Sequence, residues 1–144
     1  MRWWDWLPVR ERLLRLEEVV SRLEELQREG IDPRGDFRQA WLAERGLQLA
    51  AEIALDVGNH ILSAHFGVSA KDYEDILAQL ASNNVLPTEL HARLKGMGGF
   101  RNVLVHDYLR LDPRVVGEHL ERAPVDFSAF SMAVRSWLAQ LASR

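Results

Sequence analysis

The chain has no cysteine among its 144 residues. That excludes a disulfide framework and any thiolate metal site, and it fits a reducing compartment. Nowhere is there the run of about 20 apolar residues that spans a bilayer. The N-terminus lacks a charged lead followed by an apolar core, so neither a membrane span nor a signal peptide is expected. A basic excess is also missing: 18 Lys and Arg stand against 21 Asp and Glu, for a formal net charge of −3. Proteins that grip nucleic acid over a whole face carry a basic stripe. Any such contact here has to be small, local, and built in a cleft or from two subunits. Alternating polar and apolar runs flanked by turn signals are absent, which argues against strands. These absences leave a soluble, cytoplasmic, helical protein as the expectation.

With 47% hydrophobic and 27% charged residues, the composition is that of an ordinary globular domain. A single domain over residues 1–144 is expected. Residues 1–8 form a Trp-rich N-terminal extension, in which Trp3, Trp4 and Trp6 pack back onto the body. Pro8 suits the first turn of a helix, and Leu13, Leu16, Val20 and Leu23 recur at three and four residues up to about Glu29. Asp36 can cap a second helix reaching about Phe66. On it Gly46, Ala50, Ala54 and Gly58 form a ridge of small residues, which lets another helix come close within the bundle or across a dimer. Ser69 is placed as the cap of a shorter helix to Asn84, and Pro87 can open the next. Asp112-Pro113 starts a helix that Pro124 should end, and a last helix begins near Asp126. Short connections make this an all-α, antiparallel bundle of five to six helices.

Polar side chains stand out in two places. Asp56, Asn59 and His60 lie on the second helix, where Asp56 and His60 are one turn apart and able to form a carboxylate–imidazole contact. No third convergent ligand accompanies them, so a polar contact is expected rather than a metal site. His65, His91 and His119 are isolated and read as surface residues. The second place is Gly96-Met97-Gly98-Gly99-Phe100-Arg101-Asn102-Val103-Leu104-Val105-His106-Asp107-Tyr108, which joins flexible glycines to a fixed cation, an amide, an imidazole and a phenol. If the backbone is helical from Gly99, Asn102 and His106 share a face and the amide can orient the ring. Arg101 stands roughly 140° away from His106. Either the long side chains reach around the helix, or one copy is half a site that a two-fold axis, setting each Arg near the other copy's His, completes. Two imidazoles and two guanidiniums can cleave RNA through its own 2′-hydroxyl with no metal: one ring takes the 2′ proton, the other protonates the leaving 5′-oxygen, and arginine stabilises the charge.

The run Arg101-Asn102-x-x-x-His106-x-Tyr108 resembles the signature of the HEPN superfamily in the form found in HepT toxins. The similarity extends over Ala43–Gln48 and Ala54–Ile61 on the second helix, and from Leu86-Pro87 to Leu111-Asp112-Pro113. It covers roughly residues 36–125 and leaves Trp3, Trp4 and Trp6 outside. The resemblance implies an all-helical homodimer with both motifs lining the interfacial cleft. It also implies a metal- and cofactor-independent endoribonuclease, the toxin of a toxin–antitoxin pair. On that analogy Arg101 and His106 are catalytic and Asn102 supports them. The partner is an MNT-type nucleotidyltransferase antitoxin that AMPylates Tyr108. The alternative is a non-catalytic dimeric helical module that binds nucleotide, RNA or a protein through the same cleft.

Overall fold

The computed structural model describes residues 3–144, and side chains from Asp5 onward. Among the described residues there are six α-helices and no strand: α1 (Leu7–Arg28), α2 (Phe37–Ile61), α3 (Tyr73–Ser82), α4 (Thr88–Leu94), α5 (Met97–His106) and α6 (Pro113–Ala142). Single tight turns extend three of them, Trp3–Trp6 before α1, Leu62–Phe66 after α2 and Tyr108–Arg110 after α5. The three long helices α1, α2 and α6 pack against one another; α3 and α5 lie on α2, and α4 bridges α3 and α6.

The stripe read from the sequence is the buried face of α1: Val9, Leu13, Leu16, Val20 and Leu23 all point into the core. Each such buried side chain contributes about 1.5–3 kcal/mol relative to exposure. Gly30 (φ 72°) ends the α1 segment in the left-handed conformation. Asp36 caps α2, its carboxylate accepting the Gln39 N–H at 2.9 Å. The small-residue ridge of α2 is used inside the chain. A Cβ on Gly46 would lie 2.7 Å from the Leu23 side chain of α1, and one on Gly58 would lie 2.7 Å from Ile76 and 2.8 Å from Leu80 of α3. Trp6 is buried and meets Trp137 edge-on, ring centroids 5.3 Å apart. That packs the N-terminal segment onto the body at Trp6; the side chains of Trp3 and Trp4 lie outside the described residues.

Four expectations are corrected. Pro124 does not end a helix, because α6 runs through it from Pro113 to Ala142. A proline lacks the N–H that would bond the carbonyl four residues back. Here Gln27 of α1 supplies a donor instead, its side-chain amide reaching Leu120 O at 2.9 Å and Glu121 O at 3.0 Å. Ser69 is not the cap of α3: Asp72 is, accepting the Asp75 N–H at 2.8 Å, while Asp75 accepts the Lys71 N–H at 2.9 Å. The reciprocal capping pattern exists, shifted by three residues. Asp56 and His60 form no hydrogen bond or ion pair with each other; the His60 ring instead stands nearly perpendicular to that of Trp6, centroids 6.2 Å apart. Finally, His119 is not a surface residue. It is half-buried and stacks flat on Phe100, with ring centroids 3.8 Å apart.

Candidate active site

The chain enters α5 through Gly96, at φ 91°. That left-handed conformation suits glycine, and it lets the backbone turn sharply between α4 and α5. The Gly96 N–H donates to the Glu74 carboxylate of α3. Two residues on, Gly98 sits directly on the first turn of α3. A Cβ there would come within 2.7 Å of the Tyr73 Cβ and 3.0 Å of the Glu74 nitrogen. Gly99, by contrast, has nothing within 4 Å of where its Cβ would be. Two glycines of the segment are therefore demanded by geometry, one by the turn and one by helix contact.

This close approach places Arg101 against α2 and α3. Its Nη2 lies 3.2 Å from Glu52 Oε1, and its side chain is only 16% exposed. The guanidinium carbon stands 4.8 Å from the centroid of the Tyr73 ring, a cation–π distance. Nη1 also makes a long contact of 3.4 Å with Asn102 Oδ1. Glu52 in turn accepts from Gln48 Nε2 at 3.4 Å. The cation is thus held by a carboxylate on one side and an aromatic face on another, and its orientation is fixed before any ligand arrives.

His106 occupies the opposite end. It is the last residue of α5, exposed, and it makes no hydrogen bond or ion pair among the described residues. The Asn102 amide contacts Arg101 rather than the imidazole. Beyond it the chain leaves the α-helix. Asp107 pairs with Arg110 at 3.2 Å, and Tyr108 and Leu109 are 70% and 88% exposed. One copy therefore brings Arg101, Asn102, Glu52 and Tyr73 together and leaves His106 and Tyr108 facing outward. The sequence reading missed Glu52 and Tyr73. Glu52 did carry a signal, a lone carboxylate in the otherwise apolar run Leu49-Ala50-Ala51-Glu52-Ile53-Ala54-Leu55; Tyr73 carried none.

A family model for "Ribonuclease HepT-like" proteins matches residues 12–134. The chain belongs to the HepT-like ribonuclease family. It is 32% identical over 132 residues to the tRNA nuclease HepT of Aphanizomenon flos-aquae (strain 2012/KM1/D3), covering 88% of this chain and 89% of that one. It is 26% identical over 121 residues to the mRNA nuclease HepT of Shewanella oneidensis, over 84% of this chain and 91% of the relative. Among solved structures it resembles the tri-AMPylated Shewanella oneidensis HEPN toxin in complex with MNT antitoxin, with a TM-score of 0.78 and 25% identity over 89% of this chain and 96% of that one. The fold is shared as well with YutE, a cytosolic protein of unknown function from Bacillus subtilis, at a TM-score of 0.80 and 22% identity over 94% and 92% of the two chains. In this HepT-like chain no described helix is long and apolar enough to cross a membrane.

Proposed function

We propose that this HepT-like chain is the endoribonuclease toxin of a toxin–antitoxin pair, working in the cytoplasm as a homodimer. The observation that carries the reading is the split on α5: a guanidinium fixed by Glu52 and Tyr73 at one end, and at the other an exposed imidazole with no hydrogen bond or ion pair among the described residues. Two copies related by a two-fold axis supply two arginines and two histidines to one cleft. His106 of one copy removes the proton from an RNA 2′-hydroxyl, whose oxygen attacks the adjacent phosphorus. The bond from phosphorus to the 5′-oxygen breaks, and His106 of the partner subunit protonates that oxygen. Arg101 faces the negative charge that builds on the phosphoryl oxygens. The products are a 2′,3′-cyclic phosphate and a free 5′-hydroxyl.

The antitoxin of this reading is a small MNT-type nucleotidyltransferase that transfers AMP from ATP to the Tyr108 hydroxyl and releases pyrophosphate. The chain has 2 tyrosines. Tyr73 is half-buried beneath Arg101, whereas Tyr108 stands out from the domain two residues after His106. An added phosphodiester there brings negative charge and bulk to the mouth of a cationic cleft, where the substrate phosphate has to enter.

The test is cleavage of RNA by purified protein in the presence of a chelator, with end-group analysis of the products. Cyclic-phosphate ends and their loss in His106→Ala and Arg101→Ala are expected. Full cleavage by both variants sinks the assignment of roles, and RNA binding without turnover selects the non-catalytic module. Intact mass of the protein made with a nucleotidyltransferase partner reports the switch: AMP increments on Tyr108 support it, and increments elsewhere refute it.

A further inference from the structure

Beyond Glu52 the same side of α2 carries two more polar residues, Asp56 one turn later and then Asn59. Glu52 is engaged with Arg101. Asp56 and Asn59 are exposed and make no hydrogen bond or ion pair among the described residues. They line an open groove of about 490 Å³, bounded on its other side by Lys71 and the capping Asp72 just before α3, by Tyr73 at its start and by Asn102 of α5. The groove therefore adjoins the Arg101 cluster, since Tyr73 and Asn102 belong to both.

The side chains in the groove select what enters. A carboxylate repels phosphate, so Asp56 turns the strand's backbone away and calls for a group that donates hydrogen bonds. Single-stranded RNA offers such groups on the Watson–Crick edges of unstacked bases. Guanine alone presents two neighbouring donors, N1–H and the N2 amino group, which match the two oxygens of one carboxylate. Adenine, cytosine and uracil each present a single donor there. An amide on the next turn of the same helix, at Asn59, has both a donor and an acceptor with which to complete the contact. Lys71 at the rim has the ammonium to hold the phosphate that the carboxylate excludes. We infer that this groove reads a guanine base in the RNA strand, one nucleotide to the side of the phosphodiester addressed by Arg101. The inference rests on the ribonuclease reading for its strand, but not for its chemistry.

Binding and cutting are therefore tested separately. The probes are uridine hexanucleotides carrying one guanosine, inosine or adenosine, fully 2′-O-methylated so that the attacking hydroxyl is blocked. Titrated with the whole protein, the guanosine probe should bind about tenfold more tightly than the adenosine probe, as expected for one bidentate contact. Inosine, which lacks the N2 amino group, should fall between them. Asp56→Asn should erase the ranking, and Asn59→Ala should weaken guanosine binding several-fold. Sequencing the ends left by the unsubstituted protein on a randomised, unmodified RNA should place guanosine at one fixed position beside the cut. Equal or absent binding of the three probes overturns the groove assignment, as does a ranking that survives Asp56→Asn. Guanosine-selective binding without any cleavage keeps the groove and removes the nuclease reading, and cleavage with no base bias does the reverse.

Discussion

The two ends of α5 are built on opposite principles. At its start, Gly96 is bound to Glu74, Gly98 lies on Tyr73, and Arg101 is held between Glu52 and the Tyr73 ring. At its end, the His106 side chain has no hydrogen bond or ion pair among the described residues, and Tyr108 and Leu109 project from the surface. A cation that stabilises a transition state acts best when its orientation is already fixed, because no reorganisation is then needed as charge develops. On the proposed function, a proton-transferring ring has to reach a substrate and work with a second ring, and a partner copy or an antitoxin has to reach the tail beyond it. The anchored end is finished by the chain itself, and on that reading the free end is finished by another molecule.

The largest test of that division removes its two principal groups. His106→Ala should lower RNA cleavage by roughly 10²–10⁴-fold, the range for a lost general acid–base group, while changing unfolding free energy by less than about 0.5 kcal/mol because the ring is exposed. Arg101→Ala should match it in activity but also cost stability, since Glu52 is left half-buried without its cation. If both variants lose stability equally in urea titrations, the two ends are not different in kind.

The glycines sharpen the contrast within one turn. Gly98→Ala should destabilise by about 1–3 kcal/mol, because its methyl would overlap Tyr73 and the α3 backbone. Gly99→Ala points into open space and should stabilise by about 0.5–1 kcal/mol through helix propensity. Opposite shifts in melting temperature are expected; shifts of the same sign would show that α5 does not sit on α3 as described. Next in size is Glu52→Gln, which retains a hydrogen-bond acceptor and removes the charge. Arg101 would then be positioned less tightly, and kcat should fall about tenfold with KM nearly constant, the signature of an interaction needed in the transition state rather than in binding. A change confined to KM would assign Glu52 to substrate binding instead.

Much of this contrast was legible in the sequence. The helix that carries Arg101, Asn102 and His106, and the separation of Arg101 from His106 along it, followed from spacing, because helical geometry sets which side chains share a face; the expected Asn102–His106 contact did not, since Asn102 turns to Arg101. The clamp did not follow. Glu52 and Arg101 are far apart in the chain, and Tyr73 meets Arg101 only because Gly98 lets α5 settle onto the first turn of α3. Similarly, Pro124 read alone is a helix breaker. It is tolerated inside α6 because Gln27, on a different helix, bonds the carbonyl that the proline leaves unpaired. Local patterns show local structure; side chains reaching between helices override them where the fold brings them together.

The last expected effect is an acid sensitivity beside the anchored end. His119 stacks on Phe100, the neighbour of Arg101, beside a cavity also lined by Arg93, Lys95, Arg122 and Asp126. Burial, helped by the nearby Arg122 charge, pushes its pKa down from 6.5 to about 4. Between those values the unfolded chain binds a proton that the folded chain refuses, so stability falls as pH drops from 6.5 toward 4. Solvent at the exposed part of the ring holds the loss to about 1–2 kcal/mol. Glu17 also contributes acid sensitivity. Its hydrogen bond from Arg135 holds its carboxyl below the usual range, and that stability is lost as pH falls through the lowered value. The two are separable by substitution, since His119→Gln should flatten the pH 6.5–4 portion of a urea-denaturation series and leave the lower portion in place. If His119→Gln leaves that portion unchanged, the ring stacked on Phe100 is not the group that acid disturbs.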